Sequence, residues 1–474
     1  MTKKIVIEPV TRLEGHGKVT ILLNDKGNVD RTRLHVTQLR GFEKFSEGRL
    51  FSEMPLITPR ICGICPVSHH LASAKACDAI LGVQLTPTAE KLRRLLHMAQ
   101  YVQSHALHFF HLASPDLLLG MDADPAIRNV FGVIAEYPEL ATKGVMLRAF
   151  GQKIIEMLGK KRVHPNAAIP GGMNHALTPA NRDTILSQVD GVLADCKAAL
   201  DLCKGFCAKN ADLVKNFADF NSGYLGLVDG KGNVEYYDGK LRLKDSNGIT
   251  LEDDIEPKDY LSIIEEMVED WSYLKFPYYK KFGYPAGMYR VGPLARVNVA
   301  DGCTTPIANK ELKEFKKMGK NSILHGSLYY HYARLIELVN CAEELKALVD
   351  DESICGTDIW INAKPANEQG VGVIEAPRGT LIHHYWVDEN GKMIKANLIV
   401  ATGHNNLAMN RAAHEVAKAF IKNGKVTEGI LNRVEVAIRC YDPCLSCASH
   451  ALGHMPLEIN IYNADGSLLQ TIRN

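Results

Sequence analysis

The sequence predicts an α+β fold that is mainly helical, with a central bundle of long helices and β-hairpins at its periphery. Two observations support this prediction. Apolar residues recur at helical spacing over long stretches, and shorter runs of alternating apolar and polar residues are separated by turn sequences. The 474 residues are 46% hydrophobic, enough for a large core. No repeat, low-complexity segment or linker interrupts them, so residues 1–450 are predicted to form a single domain.

The first elements are predicted as strands and then as a helix. Residues 4–40 alternate as β-strands do, with a turn at 24–27. At Thr86 the pattern becomes helical, because threonine is a favoured N-cap and Pro87 suits the first helical position. This helix is predicted to continue towards Phe110.

Further elements follow in order along the chain. A second long helix is predicted from Asn181 to Asp219, and residues 222–258, with Asp-Gly and Asn-Gly turn sequences, are predicted as a surface β insertion. More helix is expected over 308–350. A hairpin is predicted from His383 to Val400, turning at 388–391.

Charge and hydropathy exclude some function classes. The formal net charge is +1, which gives no support to a nucleic-acid-binding surface. The apolar stretches are too short and interrupted for membrane insertion. The N-terminus lacks an apolar signal core and leads directly into a strand pattern, which favours a cytoplasmic location.

Most of the twelve cysteines are predicted to be ordinary core residues in the reduced state. Cys196, Cys203 and Cys207 share one face of the second long helix, where free cysteine behaves as a small hydrophobe. The isolated cysteines are predicted to be buried or inert: Cys77, Cys303, Cys341, Cys355 and Cys440.

Two Cys-x-x-Cys turns stand apart from these. Cys62 and Cys65 lie near the start of the chain, and Cys444 and Cys447 near its end. Four thiolates can surround one metal centre, and a structural zinc site is the simplest interpretation. Zinc ribbons, however, place their pairs about 15–20 residues apart. A site assembled from both ends of the fold is therefore predicted, with Arg60 expected to lower the pKa of the nearby thiols.

The residues around these turns resemble the two signatures of the large, catalytic subunit of nickel–iron hydrogenases. The first is Arg60-x-Cys62-x-x-Cys65 with His69, and the second is Asp442-Pro443-Cys444-x-x-Cys447 with His450. Other blocks of the same family match in order, so the resemblance covers residues 5–474: Pro9–His16, Arg40–Glu43, His164–Pro165, Pro170–Gly172, Gly292–Arg296 and Glu375–Gly379. Blocks at His105–His111, Gly379–Tyr385 and Thr402–Asn406 resemble the soluble, bidirectional, NAD-linked members.

The resemblance implies reversible heterolytic cleavage of H2 at a nickel–iron centre whose iron carries carbon monoxide and cyanide. Cys62 and Cys444 would be terminal nickel ligands, and Cys65 and Cys447 would bridge nickel and iron. The Cys444 thiolate would be the base, and Glu14 the first proton relay. On the residues alone, Glu14 would be interpreted as a surface strand residue.

The resemblance also assigns residues around the centre. Arg378, aimed by the fixed backbone of Pro377, would lie over the metals and contact one cyanide, although on sequence alone it suggests an ordinary salt bridge. The Thr402 hydroxyl would donate to the other cyanide. Asp442 would accept from a basic partner, and His69 would orient a bridging cysteine.

A magnesium ion is implied behind the site, with Glu43, the Leu398 carbonyl and His450 as its protein ligands. His450 would be the mature C-terminus. Residues 451–474 would then be a C-terminal extension removed by a maturation protease, with a native terminal strand as the alternative.

Electrons are expected to leave through partner subunits. The sequence has no third cysteine cluster for iron–sulfur, and Gly370-Val371-Gly372 does not complete a dinucleotide-binding motif. No NAD, flavin or iron–sulfur cluster is therefore expected in this chain. The resemblance implies a small iron–sulfur subunit. It also implies flavin-bearing subunits that reduce NAD, or that share electrons between NAD and ferredoxin by bifurcation.

Two other functions remain open from the residues. One is a zinc-stabilised scaffold without catalysis. The other is a non-catalytic relative of the complex I quinone-site subunit, although such relatives generally lack the full set of four cysteines. Nickel and iron together would favour the hydrogenase, and stoichiometric zinc would favour the scaffold.

Overall fold

The computed structural model describes residues 3–447, 458–463, 465 and 467–473. The α-helices, in chain order, are α1 (Phe42–Ser46), α2 (Met54–Ile57), α3 (Pro66–Leu81), α4 (Pro87–Leu107), α5 (Val130–Glu136), α6 (Pro138–Gly159), α7 (Pro179–Lys209), α8 (Ala211–Asn216), α9 (Pro293–Val299), α10 (Pro306–Lys317), α11 (Tyr329–Asp350), α12 (Ala401–His404), α13 (Asn406–Phe420) and α14 (Glu428–Arg439).

The strands, in the same order, are β1 (Lys3–Ile7), β2 (Gly17–Leu23), β3 (Val29–Val36), β4 (Ala168–Ile169), β5 (Gly172–Met173), β6 (Gly223–Val228), β7 (Lys240–Lys244), β8 (Thr250–Ile255), β9 (Ile264–Met267), β10 (Phe276–Tyr279), β11 (Tyr289–Arg290), β12 (Gln369–Ala376), β13 (Gly379–Val387), β14 (Met393–Ile399), β15 (Glu458–Tyr462) and β16 (Leu468–Arg473).

Long helices form the centre of the molecule, which confirms the predicted fold class. Helix α4 packs against α6 and α11, and α11 packs against α7. The predicted cap of α4 is present, since Thr86 Oγ1 accepts from the Ala89 N–H at 3.2 Å and Pro87 opens the helix. After Leu107 the backbone continues as π-helical turns over 108–113 and 115–119. The helical segment that begins with α4 therefore extends past the predicted end near Phe110.

The second long helix differs from its prediction at both ends. Helix α7 begins at Pro179, because Thr178 caps it by accepting from the Asn181 N–H, and it ends at Lys209. Its three cysteines are buried as predicted. The twelve cysteines of the chain form no disulfide.

The sheet nearest the helical centre is the antiparallel β12–β13–β14, which includes the predicted hairpin with its turn at 388–391. Helix α3 packs against β12 and β13. A methyl group on Gly370 would lie 2.1 Å from the Ala76 carbonyl oxygen, and one on Gly372 would lie 2.0 Å from that of Ala72. These two glycines therefore let a strand lie directly on a helix, which accounts for the Gly-x-Gly sequence.

Residues 222–258 form β6, β7 and β8, which join β11 in a four-stranded sheet. Strand β6 is almost wholly buried and packs against α9, whereas β8 is partly or fully exposed. The sheet is thus embedded at one edge and faces solvent at the other. At the N-terminus, the strands predicted over residues 4–40 are present as β1–β2–β3, which form an antiparallel sheet.

The described part of the C-terminal extension is an antiparallel hairpin of β15 and β16. The position of His450, the predicted cleavage point and magnesium ligand, lies outside the described residues. Among the residues that are described, no helix is both long and apolar enough to span a bilayer.

Candidate metal centre

The first cysteine pair lies where a short 3₁₀ turn leads into helix α3. Cys62 follows the turn at 58–61, and Cys65 is the N-cap of α3. Two glutamines of α4 hold the loop between them: the side-chain amides of Gln100 and Gln103 donate to the Ile64 carbonyl at 3.0 and 2.9 Å. The pair is therefore attached to the central bundle and faces the partially positive end of a helix.

The second pair reaches the same place from the other end of the chain. Its backbone runs beside the N-terminal segment through a parallel bridge between Glu14 and Cys444, and the Leu445 N–H donates to the Glu14 carbonyl at 3.0 Å. Gly15 has φ +85°, and a methyl group there would lie 2.8 Å from the Ser446 nitrogen. Only glycine fits this left-handed, close approach.

The four sulfurs come together as the sequence predicts. Their ligand atoms all lie within 4.8 Å of one another, and all four residues are buried. The Sγ–Sγ distances are 3.2 Å for Cys62–Cys444, 3.5 Å for Cys65–Cys447 and 2.7 Å for Cys444–Cys447. Among the described residues, no other set of three or more Cys, His, Asp or Glu side chains is grouped closely enough to hold a metal.

The thiols of this cluster have displaced pKa values in opposite directions. Hydrogen bonds from Cys444, Cys447 and Cys65 lower the pKa of Cys62 well below its ordinary value, and the Ile64 and Cys65 N–H groups also donate to its sulfur at 3.2 and 3.4 Å. Burial raises the pKa of Cys444 and of Cys447 well above the ordinary value. The cluster therefore favours one thiolate that accepts from its neighbours, and a bound cation would favour the loss of the remaining protons.

Glu14 lies at one side of the sulfurs. Its Oε2 is 2.9 Å from Cys444 Sγ and accepts from the Ser446 N–H at 3.1 Å. Glu14 is partly exposed, whereas Cys444 is buried. The carboxylate thus connects the buried cluster with a more open region.

Arg378 and Asp442 lie on another side of the cluster as a buried ion pair. Arg378 is at the tip of the β12–β13 hairpin, and it donates from Nε to the Asp442 carbonyl at 2.6 Å and from Nη2 to Oδ1 at 3.1 Å. Although burial opposes it, the charges of Asp442 and the cysteines raise the pKa of Arg378 well above its ordinary value. Burial raises the pKa of Asp442, and Arg378 partly offsets this.

Arg378 is a buried cation that acts on the cysteines. Arg60 is exposed, and Arg378 contributes to lowering the pKa of Cys62. Arg378 Nη1 also lies 3.4 Å from Ser104 Oγ. The sequence indicated no role for Ser104, because only the fold places this residue of α4 beside the hairpin tip.

A small cavity of about 20 Å³ borders the cluster. Thr402, on α12, lies in its wall and accepts from the Cys444 N–H at 2.9 Å, so its own O–H points elsewhere. The cavity is lined by Cys65, Ser68, His69, Ala376, Pro377, Arg378, Leu381, Val400, Ala401, Thr402, Cys444 and Cys447. The wall is thus largely apolar, with a guanidinium, two hydroxyls and an imidazole.

The residues predicted to hold magnesium are only partly described. Glu43 Oε1 accepts from the Leu398 N–H at 2.8 Å, which brings these two together. Lys275 Nζ lies 3.4 Å from both Glu43 oxygens and 3.5 Å from Glu266 Oε2. Burial raises the pKa of Glu266. Neither Lys275 nor Glu266 was singled out from the sequence, because nothing in their local patterns marks them.

A wide groove lies outside the first cysteine turn. Its volume is about 930 Å³, and Gly63 and Ile64 form part of its floor. Exposed apolar side chains of α6, Val145 and Met146, form part of its wall. Gly63, which lies between the two cysteines of this turn, is exposed.

Comparisons with known proteins agree with this geometry. A family model described as nickel-dependent hydrogenase matches residues 40–127 and 216–450, and one described as HoxL-like matches residues 4–39. The chain is 45% identical to the NAD-reducing hydrogenase HoxS subunit beta of Cupriavidus necator, with 99% of each chain covered. It is 48% identical to a subunit of the vhu F420-non-reducing hydrogenase of Methanocaldococcus jannaschii, covering 88% of this chain and 100% of the relative.

Solved structures give the same result. An NAD+-reducing NiFe hydrogenase in the H2-reduced state superposes with a TM-score of 0.92 at 48% identity, covering 95% of this chain and 100% of the other. The Ni-Fe-Se hydrogenase of D. vulgaris Hildenborough shares the fold with a TM-score of 0.78 at 24% identity, again over 95% and 100% of the two chains.

Proposed function

This chain belongs to the nickel-dependent hydrogenase family, and we propose that it cleaves H2 reversibly and passes the electrons to NAD through iron–sulfur and flavin-bearing partners. The observation that carries the proposal is a cluster of four buried sulfurs within 4.8 Å of one another, with a carboxylate beside one sulfur and a buried guanidinium nearby. A bare structural zinc site needs neither of these two groups.

The donor set fits a nickel–iron centre, because soft thiolates suit such metals. Cys62 and Cys444 would hold nickel as terminal ligands, and Cys65 and Cys447 would bridge to iron. Both bridging residues border the small cavity, as does Cys444, whereas Cys62 does not; this supports iron on the cavity side and nickel towards Cys62. When bound, the centre supplies heterolytic H2 cleavage and accepts the electrons.

The cavity wall suits small ligands on the iron. Arg378 has N–H groups near the cavity. Thr402 accepts from the Cys444 N–H through its oxygen, so its own hydroxyl hydrogen can be donated to another group. We assign both to cyanide, an anion that accepts hydrogen bonds. Leu381 and Val400 line the same cavity and suit carbon monoxide. Asp442 keeps Arg378 in place through two hydrogen bonds, and Pro377 fixes the backbone beside it.

The proton would leave through Glu14. Cys444 Sγ, acting as the base, lies 2.9 Å from Glu14 Oε2, which is within reach for direct proton transfer. The Ser446 N–H holds the same oxygen at 3.1 Å. The carboxyl can therefore take the proton from the sulfur without moving and release it towards its exposed side.

Magnesium would be held by Glu43, the Leu398 carbonyl and His450. The support is a carboxylate fixed against Leu398, with a second, partly buried carboxylate, Glu266, close by. The ammonium group of Lys275 lies between the carboxylates of Glu43 and Glu266 and partly neutralises their negative charge. Hard oxygen donors of this kind suit Mg²⁺.

Electrons would leave through the groove beside Gly63 and Ile64, where a small iron–sulfur subunit would dock. Its apolar wall and its nearness to the cysteines support this position. NAD as the final acceptor rests on the NAD-reducing relatives. Sharing of electrons with ferredoxin by bifurcation remains part of the proposal.

The decisive experiment is metal analysis and infrared spectroscopy of the purified complex. We expect stoichiometric nickel and iron, infrared bands of metal-bound carbon monoxide and cyanide, and H2-dependent reduction of NAD. Measuring NAD, NADP and ferredoxin in parallel identifies the acceptor. Stoichiometric zinc without nickel would contradict the hydrogenase and favour the scaffold.

We further propose that residues 451–474 are removed by a maturation protease after nickel insertion, leaving His450 as the C-terminus. The support is the burial of Cys447 only three residues earlier, so the end of the mature chain would close the site. Intact mass of the active enzyme is expected to correspond to residues ending at 450. An active chain of full length would show that the extension is retained.

A further inference from the structure

Arg296 is a fully buried residue of α9, and its guanidinium binds the backbone of the turn between β12 and β13. Nη1 donates to the Ala376 carbonyl at 2.9 Å, and Nη2 donates to the Pro377 carbonyl at 3.1 Å. These two residues are buried and come directly before Arg378 in the chain. A buried carbonyl needs a donor, and here one side chain supplies the donors for two neighbouring carbonyls of the turn that carries Arg378.

Two buried carboxylates hold the rest of the Arg296 guanidinium. Nε and Nη2 donate to Glu337 on α11, the latter at 2.7 Å from Oε2, and Nη1 donates to Glu375 Oε2 on β12 at 2.7 Å. A guanidinium has five N–H groups in a rigid, planar fork, and all five have an acceptor here. The orientation of Arg296 is therefore fixed by the core of the fold.

The other end of the Gly292–Arg296 block also contacts this turn. Gly292 is the N-cap of α9 with φ +90°, and a methyl group on it would lie 2.6 Å from the Arg378 carbonyl oxygen. A methyl group on Gly379 would lie 2.8 Å from the Gly292 nitrogen. Backbone therefore lies directly on backbone, an approach that only glycine allows. The two ends of the block, Gly292 and Arg296, thus both bear on the residues around Arg378.

Arg378 is consequently held at both of its ends. Its guanidinium is fixed by the ion pair with Asp442, and its backbone is held by Gly292 and Arg296. We propose that Arg296 is a positioning residue for Arg378: by binding the carbonyls of the turn, it sets the place from which the Arg378 guanidinium reaches the ligands of the iron. This inference rests on the proposed function, which assigns Arg378 to cyanide.

The test is Arg296→Lys in the complete complex. Lysine keeps a positive charge beside the two carboxylates, but its ammonium has three N–H groups in place of the five of the fork, so the turn loses donors. We expect nickel and iron to be retained, the cyanide bands in the infrared spectrum to shift, and H2 turnover to fall by about 10- to 100-fold. The cyanide bands report on the group that Arg378 contacts, which a role in folding alone would not change.

A double substitution tests whether Arg296 acts through Arg378. If it does, adding Arg296→Lys to Arg378→Lys should lower turnover by about twofold or less, because substitutions that remove one shared interaction do not add. If the two residues act independently, the loss in the double variant should equal the product of the two single losses.

Arg93→Lys is the matched control. Arg93 is also fully buried, pairs with the carboxylate of Asp78, and donates to the Ile169 and Gly172 carbonyls at 2.9 and 3.0 Å. The same kind of fork is therefore removed, but none of these partners belongs to the β12–β13 turn. This complex should lose thermal stability, keep its cyanide bands and retain turnover within a few-fold of the unaltered complex.

The outcomes distinguish this inference from the function beneath it. Unshifted cyanide bands in a loaded Arg296→Lys complex, the same shift in Arg93→Lys, or multiplied losses in the double variant would overturn the inference and leave the hydrogenase in place. If Arg296→Lys does not load with metal, Glu337→Gln decides, because it keeps the guanidinium and weakens its hold on α11. Shifted cyanide bands in that variant support the inference, and unshifted bands or a failure to load overturn it. A lack of the bands in the unaltered complex would overturn the proposed function as well.

Discussion

Replacing Cys444 by serine is expected to abolish hydrogen turnover and nickel binding together. Cys444 Sγ lies within 3.2 Å of the sulfurs of both Cys62 and Cys447 and 2.9 Å from Glu14, so it contributes to both the cluster and the proton route. A serine oxygen is a harder donor than a thiolate sulfur, and the serine hydroxyl is a much weaker acid than a thiol. Serine therefore does not replace a soft thiolate. The loss should exceed the roughly 100-fold that removal of an outer hydrogen-bond partner can cost.

The measurement is nickel and iron content together with H2-dependent reduction of NAD by the purified complex. Cys207→Ser is the matched control, because Cys207 is also buried but lies on α7, outside the cluster. It should keep both metals and most of the activity. A Cys444→Ser complex with normal nickel and full turnover would refute the ligand assignment.

The second large effect is expected for Glu14→Gln, which should slow turnover by about 10²- to 10⁴-fold, the usual contribution of a positioned acid or base. Glutamine has nearly the same shape and can still accept from the Ser446 N–H, so the backbone and the cluster should remain in place. It cannot take a proton from Cys444 and release it. Nickel, iron and the infrared bands should therefore be retained while activity falls.

The control is Glu435→Gln. Glu435 is a buried carboxylate, and it accepts from the Thr11 N–H at 2.6 Å rather than from a cysteine. Its substitution should leave turnover within a few-fold of the unaltered complex. Unchanged turnover in Glu14→Gln would remove Glu14 from the proton route, and loss of the metals would make its role structural.

Local features of the fold could be predicted because they depend on neighbouring residues. Thr86 and Pro87 mark a helix start through capping and backbone restriction alone, and the spacing of Cys196, Cys203 and Cys207 places them on one helical face. The predicted end of that helix, Asp219, is wrong, since α7 stops at Lys209 and a second short helix follows. Periodicity does not reveal such a break.

The site could be predicted only in part. The pattern of four cysteines indicates a shared metal, and the family resemblance supplied Glu14 and Arg378, whose contacts depend on segments far apart in sequence. Nothing near Ser104 in the sequence indicates that it contacts Arg378 beside the centre. These contacts arise when α4 and α3 pack against the β12–β13 hairpin, and pairing at such distances is set by the whole core rather than by spacing.

The parallel bridge between Glu14 and Cys444 has a consequence for biosynthesis. Two of the sulfur donors lie at residues 62 and 65 and two at residues 444 and 447, and the bridge pairs the late segment with the N-terminal one. A nascent polypeptide therefore has two thiols to offer through nearly all of its elongation. A centre that needs all four thiolates therefore cannot be assembled before Cys447 has been made, which places metal delivery late in the synthesis of an active enzyme.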